Sequence, residues 1–222
     1  MPMIIHGSVL SPFVRKITLI AIEKGLDFES SNLNPFSPPA DFEKMSPLKR
    51  IPVLEDDGFM LADSSAIAAY LEAKQATPAL LPSEPRKLGH ALWIEEYADT
   101  ALASDIGLGV FRPAIVNPMM GKPVDEKTII ETITNVLPAR FEYLNQQLEA
   151  KDWFAGDEMG LADISIYSQL MSLFYTGHLP SAEQYPWLMK HFSRIQNRPA
   201  AQKLLQQETA YLKAVKEQTT GK

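Results

Sequence analysis

Strand-like runs crowd into the part of this chain before Asp63, and beyond a proline-marked stretch the sequence carries only helical periodicity. That asymmetry excludes a sheet running the length of the chain. It calls for a mixed α/β unit followed by an all-helical one. Met3–His6 is short and apolar, Gly7 to Pro12 breaks it, and Phe13, Val14, Ile17, Ile20 and Ala21 then take up helical spacing as far as Gly25. Phe28–Leu33 reads as a second strand, and the proline-rich stretch Pro35–Pro47 reads as loop with at most a short helix. Ile51–Glu55 and Phe59–Leu61 flank Asp56-Asp57-Gly58, the signature of a tight antiparallel hairpin. Asp63-Ser64 then opens a helix carrying Ala66, Ile67, Tyr70 and Leu71.

Pro78, Pro82 and Pro85 mark a linker, which predicts a first domain over 1–77, a connection over 78–86 and a helical domain over 87–222. In the second domain Trp93, Tyr97 and Ala101 fall at helical spacing. Ile129, Ile130, Ile133, Val136, Leu137, Phe141 and Leu144 trace a second stripe, in which Pro138 is expected to bend or interrupt the helix. Leu161–Phe174 is apolar on almost every face, so it is expected to be the buried axis of a bundle.

Composition narrows the chemistry. With 222 residues, 45% hydrophobic and 22% charged, the chain can bury two cores. Its net charge is −6 and neither half is basic, so nucleic acid is not expected as a partner. Zero cysteines remove disulfides, thiolate metal sites and any cysteine nucleophile. The four histidines, His6, His90, His178 and His191, lie far apart in sequence without a metal-ligand spacing, and no metal is expected. No leader-like segment or membrane-length apolar run is seen, so no membrane association and a cytoplasmic location are expected. Dinucleotide, phosphate-loop and nucleophile-elbow motifs are missing.

What remains is Gly7-Ser8-Val9-Leu10-Ser11-Pro12-Phe13-Val14-Arg15-Lys16. Ser followed by Pro is a well-formed helix start, and a hydroxyl there sits among free N–H groups at the positive end of the helix dipole, where an anion is stabilised. Arg15 and Lys16 follow within a turn and a half, a place unfavourable to cations unless an anion is near.

These residues carry a resemblance. Ser11 to Lys16 after a short strand, then Ile51-Pro52-Val53-Leu54, then Asp63-Ser64-Ser65-Ala66-Ile67 resembles the glutathione-binding domain of cytosolic glutathione transferases. Gly160-Leu161-Ala162-Asp163-Ile164, Tyr185-Pro186 and Arg198-Pro199-Ala200 resemble elements of the same family's helical domain. The resemblance implies a thioredoxin-like β-α-β-α-β-β-α domain, an all-helical domain and a homodimer.

It also implies roles. Ser11 matches the serine that donates a hydrogen bond to the glutathione sulfur, with Ser8 as the rival hydroxyl. A free thiol is only about 3% ionised at pH 7, and lowering its pKa by two units takes about 2.7 kcal/mol of differential stabilisation. A charge-assisted O–H···S⁻ bond and a helix N-terminus can supply that. Pro52 matches the family's cis-proline, and Ile51 before it presents its backbone to glutathione like an added strand. Asp63 and Ser64 match the pair that holds the γ-glutamyl end, and Arg50 matches a lysine that meets a glutathione carboxylate. The second substrate, a small hydrophobic electrophile, is expected between the domains, with Phe13 on one side and Tyr97 and Arg112 on the other. Departures from the family pattern are Ser46 for Asn, Lys49 for Gly, Asp63 for Glu and Gly160 for a capping Ser or Thr. Gly160 leaves its helix without a side-chain cap, so that helix is expected to be less stable. The reading is a glutathione transferase. A glutathione-dependent disulfide or peroxide reductase, and a non-catalytic binding protein of the same fold, are the alternatives.

Overall fold

The computed structural model describes residues 2–35 and 38–220, apart from the side chains of residues 216 and 218–220. Within the expected loop Pro35–Pro47, residues 36 and 37 lie outside the described residues. The chain divides between Leu81 and Pro82 into two compact units.

The first unit runs β1 (Met3–His6), α1 (Pro12–Glu23), β2 (Phe28–Ser31), α2 (Phe42–Met45), β3 (Val53–Asp56), β4 (Phe59–Ala62) and α3 (Ser64–Lys74). This is the expected thioredoxin-like order. Its sheet runs β2-β1-β3-β4, with β1 parallel to β2 and antiparallel to β3, and β3 antiparallel to β4. The β3–β4 turn has Asp57 at φ 49° and Gly58 at φ 81°, the two left-handed positions of the turn that the sequence signals. Side-chain alternation then sorts the core. Val53 joins Leu33 and Phe42 in a small cluster beneath α2, flanked by Met45, Ile51, Met60 and Ala62. Leu54 points to the opposite face, where Ile17, Ile20, Ile67 and Leu71 are buried as α1 packs on α3. Asp56 binds the hairpin to α3 by accepting from the Tyr70 hydroxyl at 2.6 Å and pairing with Lys74.

β3 starts two residues later than the sequence suggests. Pro52 has no N–H to give a ladder, so pairing begins at Val53.

The second unit is helical throughout its regular structure. α4 (Pro85–Tyr97) passes without a break through a π-helical segment (Ala98–Leu102), α5 (Ala103–Ile106), a second π segment (Gly107–Val116) and α6 (Asn117–Met119). α7 (Glu126–Glu131), a π segment (Thr132–Val136) and α8 (Leu137–Gln147) form the next continuous run, followed by α9 (Leu161–Thr176), α10 (Pro186–Gln196) and α11 (Pro199–Thr220). The interruption expected at Pro138 takes the form of a π segment that breaks the α-helical register. The π segment shifts the hydrogen-bond register just before it, so that Pro138 stands in the first turn of α8, where no N–H is required of it. α9 is buried from Leu161 to Leu173, as its apolar faces predict. Gly160 has no capping side chain, but the reciprocal half of the cap is intact. Asp163 accepts from Gly160 N–H at 2.8 Å and from Phe154 N–H at 3.0 Å, and also pairs with His191 at 2.8 Å. Among the described residues no helix is long and apolar enough to cross a membrane, and no group of three or more His, Cys, Asp or Glu converges as a metal site would need.

Candidate functional site

Strand register assembles one end of the sheet. Val53 pairs with His6 on one side and with Ala62 on the other. The next residue outward on each strand is therefore Gly7, Pro52 and Asp63, standing side by side at spacings of about 4.8 Å. α1 and α3 both begin at this end, so two helix N-termini bring their positive dipole ends to it.

Gly7 lets the pieces close. Its φ is 155°, and a Cβ there would lie 2.5 Å from Val14 Cγ2 and 3.3 Å from Ile51 Cβ. Only a glycine allows the β1–α1 loop to settle against Ile51. Ser11 caps α1 in extended geometry, with Pro12 as the first helical residue. Its Oγ accepts from Val14 N–H at a long 3.5 Å, and its own proton has no acceptor among the described residues. The hydroxyl is half-buried and able to donate. Ser8 lies in the same loop, with its carbonyl accepting from Ser11 N–H at 3.0 Å. Arg15 and Lys16 are turned inward and 1% exposed, and Arg15 Nη2 donates to the Leu10 carbonyl at 3.4 Å.

The Ile51–Pro52 peptide is cis, with Pro52 buried and Ile51 half-buried. The N–H and C=O of Ile51 make no hydrogen bond among the described residues, so an extended ligand can pair with them. Arg50 is exposed and its guanidinium meets no partner among the described residues. Asp63 stands at φ 83° and caps α3, its Oδ1 accepting from Ser65 N–H at 2.9 Å and Ala66 N–H at 3.1 Å, and Ser64 beside it is buried. The structure thus gathers Ser11, Ile51, Pro52 and Asp63-Ser64 about one sheet end, with Arg50 next in the chain.

Of the other three candidates, one lies on α1 and two in the helical unit. Phe13 is half-buried in the first turn of α1. Tyr97 belongs to an aromatic cluster of the helical unit. Its ring lies 4.9 Å from Tyr143 and 6.2 Å from Trp93, whose indole N–H donates to the Tyr143 hydroxyl at 2.6 Å. Burial pushes the Tyr97 phenol pKa up, while Arg140, held at 2.8 Å by Asp105, faces its ring. Arg112 is exposed in the second π segment.

Sequence reasoning missed Gly7 and Ser46. Ser46 is 1% exposed, and its hydroxyl both donates to the Arg50 carbonyl at 2.8 Å and accepts from Arg50 N–H at 3.0 Å. The departure from the family at position 46 was visible, but the contact it makes was not.

A thioredoxin-like domain with a polar, dipole-rich sheet end, followed by an all-helical domain, defines the class. Comparison with known proteins then names it. A family model described as the N-terminal domain of glutathione S-transferase matches residues 5–79, and one for the C-terminal domain matches residues 111–208. The chain belongs to the glutathione S-transferase family. A glutathione S-transferase of Triticum aestivum is 27% identical over 92% of this chain and 93% of its own. The crystal structure of a glutathione S-transferase from Rhodospirillum rubrum F11 superposes with a TM-score of 0.84 at 25% identity, over 91% of both chains. Elongation factor 1-gamma of Schizosaccharomyces pombe is 31% identical over 72% of this chain and 38% of its own.

Proposed function

We propose that this chain is a glutathione transferase in which the Ser11 hydroxyl holds the glutathione sulfur as a thiolate. The observation that carries the reading is a Ser11 hydroxyl proton without an acceptor among the described residues, at the N-terminus of α1, in the loop whose Gly7 packs against Ile51. Glutathione lies along Ile51 as an added strand. Its γ-glutamyl carboxylate meets the start of α3 at Ser64, its ammonium faces Asp63, and Arg50 takes its other carboxylate. The thiol proton leaves to solvent, Ser11 donates to the resulting S⁻, and the thiolate attacks an electrophilic carbon. A carbon–sulfur bond forms as halide departs from an aryl halide, or as an enone takes the electron pair and is then protonated. Phe13, one residue past Pro12, supplies apolar surface for the electrophile. A bound thiolate can equally attack sulfur or oxygen, and assays with disulfides and hydroperoxides separate those outcomes.

The test is direct. The purified protein is passed over immobilised glutathione and assayed with a panel of aryl halides, enones and hydroperoxides; neither retention nor turnover sinks the reading. The likeness to elongation factor 1-gamma favours a second one, a binding module of the same fold without turnover. Under that reading Ser11→Ala leaves every measurable property in place. The chain is proposed to work in the cytoplasm as a homodimer, and large apolar side chains left exposed at Phe59, Leu92 and Trp93 support the dimer. Sedimentation at micromolar concentration checks it.

A further inference from the structure

We propose that Ser46 is a positioning residue for glutathione, acting through the backbone of Arg50. The inference rests on the reading of the site given above. Ser46 ends the short helix α2, which Phe42 anchors in the cluster with Leu33 and Val53. From that fixed point the chain makes a five-residue excursion, Ser46-Pro47-Leu48-Lys49-Arg50, and the Ser46 hydroxyl closes it by engaging both the N–H and the C=O of Arg50. Lys49 N–H also donates to the Ser46 carbonyl at 2.8 Å.

The closure fixes what comes next. With both polar groups of Arg50 bound inward, its backbone has one orientation, its side chain is directed outward, and Ile51 is delivered to the sheet end beside Gly7. Pro47 cannot donate, and Lys49 holds a left-handed φ of 54° that only a tightly constrained turn imposes on a residue with a side chain. Removing the hydroxyl removes both bonds and leaves the Lys49–Ser46 backbone bond in the turn. The loop then samples several conformations, and glutathione binding must select one of them. Ser46 touches neither the sulfur nor the electrophile, so its effect falls on binding and not on the chemical step.

The experiment compares wild type, Ser46→Ala, Ser46→Cys and Ser46→Asn by calorimetric titration with glutathione, by steady-state conjugation with a chromogenic aryl halide, and by thermal unfolding without ligand. Ser46→Ala is expected to raise the glutathione Kd and KM about fivefold to tenfold, the effect of losing about one hydrogen bond's worth of preorganisation, with kcat at saturating glutathione within about twofold. Ser46→Cys keeps the volume with weaker bonds, moves KM the same way by less, and serves should the alanine variant not fold. Ser46→Asn carries a donor and an acceptor and restores binding. Unchanged KM in folded Ser46→Ala and Ser46→Cys overturns this inference alone, as does a fall in kcat at constant KM. A wild type that binds no glutathione overturns the reading of the site, and this inference with it.

Discussion

The ammonium of Lys24 lies 2.6 Å from the Glu72 carboxylate, with its side chain wholly buried, and it also donates to the carbonyls of Gln75 and Pro78 at 2.7 Å each. Glu72 in turn accepts from the N–H groups of Leu80 and Leu81. One ion pair between the end of α1 and the body of α3 thus ties down the segment that leads out of the first unit. Lys24→Met leaves that carboxylate without its cation. Because Glu72 keeps 19% of its side-chain exposure, the expected loss is about 2–3 kcal/mol, below the range of a fully buried pair. A lower urea midpoint at unchanged slope checks it, and faster proteolytic cleavage in the 75–84 stretch accompanies it.

Gly7→Ala puts a methyl group 2.5 Å from Val14 Cγ2 on backbone at φ 155°. Overpacking of this kind costs about 1–3 kcal/mol, and here it also pushes the Ser11 loop away from Ile51. Glutathione affinity is expected to fall along with stability. Adding Val14→Ala makes room for the new methyl and recovers part of the binding, which a purely backbone effect would not allow.

The parts of the fold that were legible rest on signals within a few residues. Asp57-Gly58 marks a turn by its own φ angles, Pro186 and Pro199 open helices at the position where Pro is tolerated, and α9 shows its burial in an unbroken apolar composition. Pro138 marks where the α-helical register breaks, but its identity alone does not tell that a π segment carries the break. Gly7, Ser46 and Lys24 were illegible for a different reason. Lys24 meets Gln75 and Pro78 across about fifty positions, and Gly7 is constrained by Ile51, just ahead of β3. Nothing near them in sequence announces either contact. Ser11 stood out because cap chemistry is local, whereas the freedom of its proton is a fact of the assembled loop.

Ser11→Ala separates the two hydroxyls of that loop. If Ser11 faces the sulfur, the variant loses about 2 kcal/mol of thiolate stabilisation, a conjugation rate about thirtyfold lower, while glutathione Kd at low pH changes little. The pKa of bound glutathione, read from the pH dependence of thiolate absorbance, rises. Ser8→Ala leaves the rate within about twofold. The reverse pattern transfers the role to Ser8.

Asp56 sets an acid limit on the first unit. Hydrogen bonds from Lys74 and Tyr70 lower its pKa below the ordinary carboxylate value, outweighing the upward effect of burial, and raise the pKa values of both partners. Since its folded pKa lies below its unfolded one, the unfolded state binds the proton more readily. The stabilisation is therefore fully present above the unfolded value of about 3.9 and drains away as pH falls through the folded one. Lys74 carries the opposite sign: its raised pKa gives stability below its ordinary value of about 10.4 that is lost as pH climbs through the folded value. Urea midpoints measured from neutral pH into the acid range are expected to decline more steeply for wild type than for Asp56→Asn, which keeps an acceptor for Tyr70 but does not titrate. Parallel declines in the two proteins would place the acid sensitivity at other carboxylates.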